Sequence, residues 1–147
     1  MPAVLRIGRG GAEIDNAHSG GMFIGISNNG VLSERAMTEF MTVFYEHPDS
    51  GVAFNGYKIN RFPEVLKSAL KMHAMIPELG AASWDFTIDE EGMPTLIEVN
   101  LLNGGFWIIQ CAHSKAPFGE FQPEILMWMK RMNKMPLSKR EKFAFGF

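Results

Sequence analysis

Residues 83–100 read S-W-D-F-T-I-D-E-E-G-M-P-T-L-I-E-V-N. Alternating apolar and polar residues on either side of Glu91-Gly92 predict a β-hairpin, with those two residues as its turn. Counting outward from that turn, Glu90 faces Met93 and Asp85 stands directly opposite Glu98. Asn100 follows on the same face, two residues further along. Trp84, Phe86, Ile88, Ile97 and Val99 make up the other face, so one side is core and the other carries two carboxylates and an amide. Like charges directly across a ladder repel. A cation held between them explains the arrangement, and an all-oxygen set suits a hard ion such as Mg²⁺. A longer loop with a bulge would shift the register by one and break the Asp85–Glu98 pairing, and Pro94 removes a ladder donor early in the second strand. The plainer alternative is an amphipathic hairpin whose polar face is simply solvated.

Upstream of the hairpin, the apolar run over 3–8 predicts a strand, Arg9-Gly10-Gly11 a turn and 12–16 a return. Residues 22–27 form a further strand, closed by the strong turn signal Asn28-Asn29-Gly30. This is an antiparallel meander from which Arg6, Asp15 and Asn16 project. Gly20-Gly21 reads as a tight bend or a close backbone approach. No phosphate loop of the G-x-x-x-x-G-K-[ST] kind occurs. Residues 34–45 read either as a short helix or as an irregular crossing segment. His47 lies on the turn cluster 46–51, where it is either a solvated loop histidine or a binder of a substrate carboxylate or phosphate. Residues 52–59 read as extended, broken at Asn55-Gly56.

A helix is predicted over 63–75, with Pro63 in its first turn and Leu66, Leu70 and Met75, flanked by Val65 and Ala69, as its apolar stripe. His73 near that stripe reads as a satisfied core histidine. Beyond the hairpin, residues 101–105 form a glycine-bearing turn. A last helix over 123–133 has Glu124 in its first turn and Lys130 and Arg131 in its last, in keeping with the helix dipole. Its Ile125, Leu126 and Met129 are expected to pack on the sheet. Phe143, Phe145 and Phe147 in the tail are able to cap a core or meet a partner.

The length of 147 residues suits a single domain over 1–147 with a real core. The net charge of −2 argues against a nucleic-acid surface. One cysteine, Cys111, allows no internal disulfide, so a reducing cytoplasm is the expected compartment. No apolar run is long enough to span a bilayer and no leader pattern opens the chain, so no membrane partner is expected.

Trp84-Asp85-Phe86, Asp89-Glu90-Glu91-Gly92 and Leu96-Ile97-Glu98-Val99-Asn100 together resemble the metal-binding end of the ATP-grasp ligases. Leu5-Arg6-Ile7, Asp15-Asn16 and Gly20-Gly21 resemble the arginine strand and the Asn-loop-Gly-Gly segment of the glutamate ligases in that superfamily. The version here, I-D-N-A-H-S-G-G with a later H-P-D-S-G and a W-D in the hairpin, is most similar to the sugar-transfer-associated branch. The resemblance covers Arg6 to Gly104. It implies an α+β fold, the C-terminal lobe of an ATP-grasp domain with an antiparallel sheet packed by helices. It also implies an ATP-dependent carboxylate-amine or carboxylate-nucleophile ligase that works through an acyl phosphate, and a link to polysaccharide or cell-surface sugar biosynthesis.

On this resemblance Asp85, Glu98 and Asn100 hold Mg²⁺ or Mn²⁺, Arg6 stabilises the transferring phosphoryl group, Asn16 orients the acyl phosphate or the metal shell, and Ile97 touches the adenine of ATP. Gly104, Asp15 and His47 fall toward the substrate side. Two before Asp85, where D-alanine ligases carry arginine, the chain has Ser83. The lysines and glycine-rich loop that grip nucleotide in the family precede this region, so an N-terminal ATP-grasp portion is an expected partner, alongside the carboxylate substrate and its nucleophile. A homodimer covering exposed apolar surface is a further expectation. The rival reading is a non-catalytic module that binds a divalent metal or an acidic ligand, or an inactive fragment.

Overall fold

The computed structural model of the chain describes residues 2–11, 20–76, 79–101 and 105–136. Strands β1 (Ala3–Ile7), β2 (Met22–Ile26), β3 (Ala36–Met37) and β4 (Val43–Phe44) form a four-stranded sheet in sequence order. Each pairs antiparallel with the next, and Arg6 of β1 stands opposite Phe23 of β2. Residues 34–45 therefore take the irregular alternative, with two short strands in place of a helix.

The run Met22–Ile26 is apolar throughout apart from Gly25 because both of its faces are covered, and all five residues are buried. On one face Met22, Ile24 and Ile26 join Leu32, Ala36, Phe54 and Phe62 in the larger core, with Leu5, Ile7 and Val65 packed against it. On the other, Phe23 and Met37 meet Val4, Ile108, Cys111 and Ala112. The turn after β2 is closed by Gly30 N–H donating to the Ser27 carbonyl at 2.9 Å. Gly30 has φ +82°, and a side chain there would meet the Ile59 carbonyl and Phe62 at 3.0 Å.

Helix α1 (Phe62–Ala74) covers the first face. Its inward side runs through Phe62, Val65, Leu66, Ala69, Met72 and His73, whereas Leu70 and Met75 of the expected stripe are exposed. Only Phe62 is fully buried, so the helix is anchored at its start. At its far end His73 accepts a hydrogen bond from Trp84 Nε1 at 3.3 Å and meets that ring edge-on. Thus α1 joins the meander to the hairpin, and His73 is a satisfied, half-buried histidine.

Helix α2 (Phe106–His113) covers the second face of the sheet. Its aromatic and β-branched content, Phe106, Trp107, Ile108 and Ile109, is poor in helix formers, so local pattern does not announce it. Packing holds it. Trp107 meets Phe23 in a T-shaped contact at 5.6 Å. His113 Nε2 hydrogen-bonds the Ala3 carbonyl at 2.8 Å. Gly25 lets the end of α2 lie against β2, since a Cβ there would stand 3.0 Å from the Ala112 carbonyl and 2.8 Å from Ser33 Oγ.

Helix α3 (Gln122–Asn133) follows a short 3₁₀ turn at Gly119–Phe121. It does not pack on the sheet as expected: Leu126 and Met129 are exposed, and α3 rests chiefly on the 3₁₀ turn. The expected return at 12–16 and the tail beyond 136 lie outside the described residues.

Candidate functional site

The hairpin consists of β5 (Ser83–Ile88) and β6 (Pro94–Asn100). Asp85 pairs with Glu98, Trp84 with Val99 and Ser83 with Asn100, the register expected from sequence. The route to it differs. The loop is three residues long, Glu90 to Gly92, not two. Asp89 N–H donates to the Met93 carbonyl, and Gly92 N–H donates to the Asp89 carbonyl, each at 3.0 Å.

Gly92 takes φ +80°, which fits the left-handed residue of a three-residue hairpin loop. Asp89 Oδ1 accepts from the N–H groups of Glu91 and Met93, at 3.1 and 2.7 Å, so this carboxylate builds the turn. The longer loop displaces the register by one, pairing Phe86 with Leu96 and Ile88 with Pro94.

A bulge between Asp85 and Phe86 then restores it, with Ile97 as the extra residue on β6. Leu96 takes the place opposite Phe86 that sequence had assigned to Ile97, and Ile97 is 63% exposed. The bulge allows Leu96 and Glu98, two residues apart, to pair with neighbours on opposite faces of β5.

Arg6 supplies the second half of the site. Leu5 and Ile7 pack into the α1-side core, so the alternation of β1 turns Arg6 to the face of Val4 and Phe23. There its Nη2 lies 3.6 Å from Asp85 Oδ2, with the two side chains 37% and 23% exposed. Asn100 Nδ2 donates to Glu98 Oε1 at 2.8 Å. One guanidinium, two opposed carboxylates and one amide thus meet where the two sheets approach.

The donor chemistry suits a hard divalent ion. The carboxylates are oxygen ligands, and an amide whose nitrogen is turned to Glu98 keeps its oxygen for a cation. Among the described residues no group of three or more His, Cys, Asp and Glu side chains gathers in a metal-ligating arrangement. Any ion here would therefore rest on two carboxylates and an amide and complete its shell with water or phosphate oxygens.

His47 is used by the fold. Its Nδ1 accepts from Asp49 N–H at 3.2 Å, which places the ring proton on Nε2 for donation to the Gly8 carbonyl at 3.0 Å. Asp49 Oδ2 in turn accepts from Gly10 N–H at 2.6 Å, and Arg9 Nε donates to the Gly20 carbonyl at 2.6 Å. The His47 and Asp49 bonds fasten the end of β1 to the 46–51 turn and the Arg9 bond ties it to Gly20, around a depression of about 300 Å³ lined by Arg9, Gly10, Gly20, Pro48 and Asp49. A broader one of about 630 Å³ lies beside it, between Glu34, Phe44, Tyr45 and Asn55. Asp15, Asn16 and Gly104 lie outside the described residues. Sequence did not disclose the Arg6–Asp85 contact, because only tertiary packing brings β1 to β5.

A family model described as sugar-transfer associated ATP-grasp matches residues 1–122. The chain belongs to the sugar-transfer associated ATP-grasp family. No curated protein and no solved structure matches it. The described residues form two antiparallel sheets and three α-helices, the α+β architecture of an ATP-grasp lobe. Membership implies, in general terms, the use of ATP and a divalent metal. Among the described residues no helix is long and apolar enough to cross a membrane.

Proposed function

We propose that this ATP-grasp chain supplies the phosphate-facing end of an ATP-dependent ligase that joins a carboxylate to an amine or another nucleophile. One observation carries the reading: Arg6 meets Asp85 across two sheets, with Glu98 directly opposite Asp85 and Asn100 bonded to Glu98. Phosphoryl transfer needs both signs of charge held in place, and this junction offers a guanidinium beside two opposed carboxylates.

In the proposed reaction the γ-phosphoryl group of ATP passes to a carboxylate oxygen and ADP leaves. The nucleophile then attacks the acyl carbon and expels phosphate. Asp85, Glu98 and the side-chain oxygen of Asn100 would hold Mg²⁺ or Mn²⁺, which when bound neutralises charge on the phosphates. Arg6 places a fixed positive charge against the transferring group, its position set by Asp85. Ile97, exposed on its bulge, is offered to the adenine ring, and Asn16 to the acyl phosphate. An amine nucleophile is suggested by the resemblance to the glutamate ligases, and a sugar-linked pathway by the family description alone.

Isothermal titration with Mg²⁺ and with Mg-ATP, on the wild type, Asp85→Asn and Glu98→Gln, tests the site. Mg-ATP binding that falls at least tenfold in both variants is the expected result. Binding of Mg²⁺ alone, lost in both variants and indifferent to ATP, would favour the non-catalytic metal-binding module. Equal affinities in all three chains would remove the cation from the hairpin.

A further inference from the structure

Helix α3 divides into two arcs at 3.6 residues per turn. Ile125, Leu126, Trp128, Met129 and Met132 share one, while Glu124, Lys130, Arg131 and Lys134 share the other with Met127. The described residues leave much of the apolar arc uncovered. Leu126, Trp128 and Met129 are 44%, 49% and 46% exposed, and among the described residues α3 rests chiefly on the 3₁₀ turn at Gly119–Phe121. Charge is also segregated along the sequence. From Gln122 onward six Lys or Arg stand against two acidic residues, net +4, whereas eight stand against fourteen before it, net −6. The family match ends at residue 122, where α3 begins.

We propose that α3 is an interfacial anchor that lies on an anionic lipid surface. Its apolar arc enters the headgroup boundary, Trp128 sits at that level, and Lys130, Arg131 and Lys134 reach the lipid phosphates. A basic polar arc, an exposed tryptophan and apolar side chains opposite are the features that favour this placement over burial in a protein interface. A second copy of α3 is the poorer occupant, since pairing through the apolar arc would leave Lys130, Arg131 and Lys134 facing solvent and give the basic arc no partner. With 12 residues the helix lies on a membrane and does not span one. This departs from the sequence expectation of no membrane partner, which was an argument about spans and leaders.

Co-sedimentation of the 147-residue chain with phosphatidylcholine vesicles, with and without phosphatidylglycerol, reads the proposal directly. Binding should appear on the anionic vesicles and weaken at least tenfold on neutral ones and in high salt. Each of Lys130→Gln, Arg131→Gln and Lys134→Gln should cost about fivefold. Trp128→Ala should also reduce binding, and the emission lost in Trp128→Phe should be blue-shifted when anionic vesicles are present. Circular dichroism and melting temperature of these variants should match the wild type, because the altered side chains stand outside the core. Equal binding to neutral and anionic vesicles, or full binding by the triple Gln variant, overturns the proposal. So does self-association by light scattering that Trp128→Ala abolishes, together with indifference to vesicles, which would assign the arc to a second copy.

Discussion

Replacing Glu98 by glutamine separates the cost of the opposed carboxylates from the use of a cation. Asp85 and Glu98 face each other directly across the ladder. Each has a partial answer, Arg6 Nη2 at 3.6 Å from Asp85 and Asn100 Nδ2 at 2.8 Å from Glu98. Like charges in this position cost about 0.2–1 kcal/mol. Glutamine keeps an oxygen that accepts from Asn100, so Glu98→Gln removes the charge and spares the hydrogen bond. In chelator the variant should therefore melt above the wild type, by roughly 1–4 °C for a chain of this size. Mg²⁺ at ten times its Kd stabilises the wild type by about 1.4 kcal/mol, or roughly 4–6 °C, and leaves the variant where it was. The order of melting temperatures thus reverses between chelator and Mg²⁺, and calorimetry in the two buffers reads it. An equal rise in both proteins on adding Mg²⁺ would refute a cation between the carboxylates. A variant that melts lower in chelator would show that the opposition is not repulsive.

Gly25→Ala should destabilise the chain by about 1–3 kcal/mol, since the new methyl meets the Ala112 backbone carbonyl at 3.0 Å while His113 pins that helix end to Ala3. Adding Ser33→Ala should restore part of the loss in a denaturation series, and full recovery would show that α2 gives way. Gly92→Ala meets only the Arg61 side chain, at 3.5 Å, so its cost of about 1 kcal/mol is the conformational price of φ +80°, and Gly92→Asn should melt between it and the wild type. His47→Ala removes the bonds to Gly8 and Asp49 and should cost about 1–3 kcal/mol. An unchanged melting temperature in that variant would mean that the ring does not fasten the loop.

Local pattern carried the parts of this protein whose residues are neighbours. Alternation predicts both strands of the hairpin and the start of the meander, because a strand repeats every two residues and declares its faces within a few positions. Prolines near the first turns of α1 and α3 mark those helices, and Asn28-Asn29-Gly30 marks its turn. The pairing of Asp85 with Glu98 also follows from counting, although a loop one residue longer than expected and a bulge of one residue at Ile97 cancel to give it. Periodicity does not reveal such cancellation, since loop length and bulges are chosen by turn geometry and twist.

Tertiary structure alone decided the rest. Helix α2 is assembled from poor helix formers and exists because β2 offers it an apolar face and a glycine to rest on. The inward face of α1 was set by Phe62 at its start, and Leu70 and Met75 were left to solvent. Helix α3 has the periodicity of a packed helix, but the described sheets present it with no matching face, and periodicity says that an apolar arc exists without saying what covers it. The resemblance assigns Arg6 and Asp85 to the same phosphate site, but strand alternation alone does not place them in contact. Their meeting requires one sheet, both its covering helices and the hairpin to be in place, and an interaction between residues so far apart in the chain leaves no trace in local pattern.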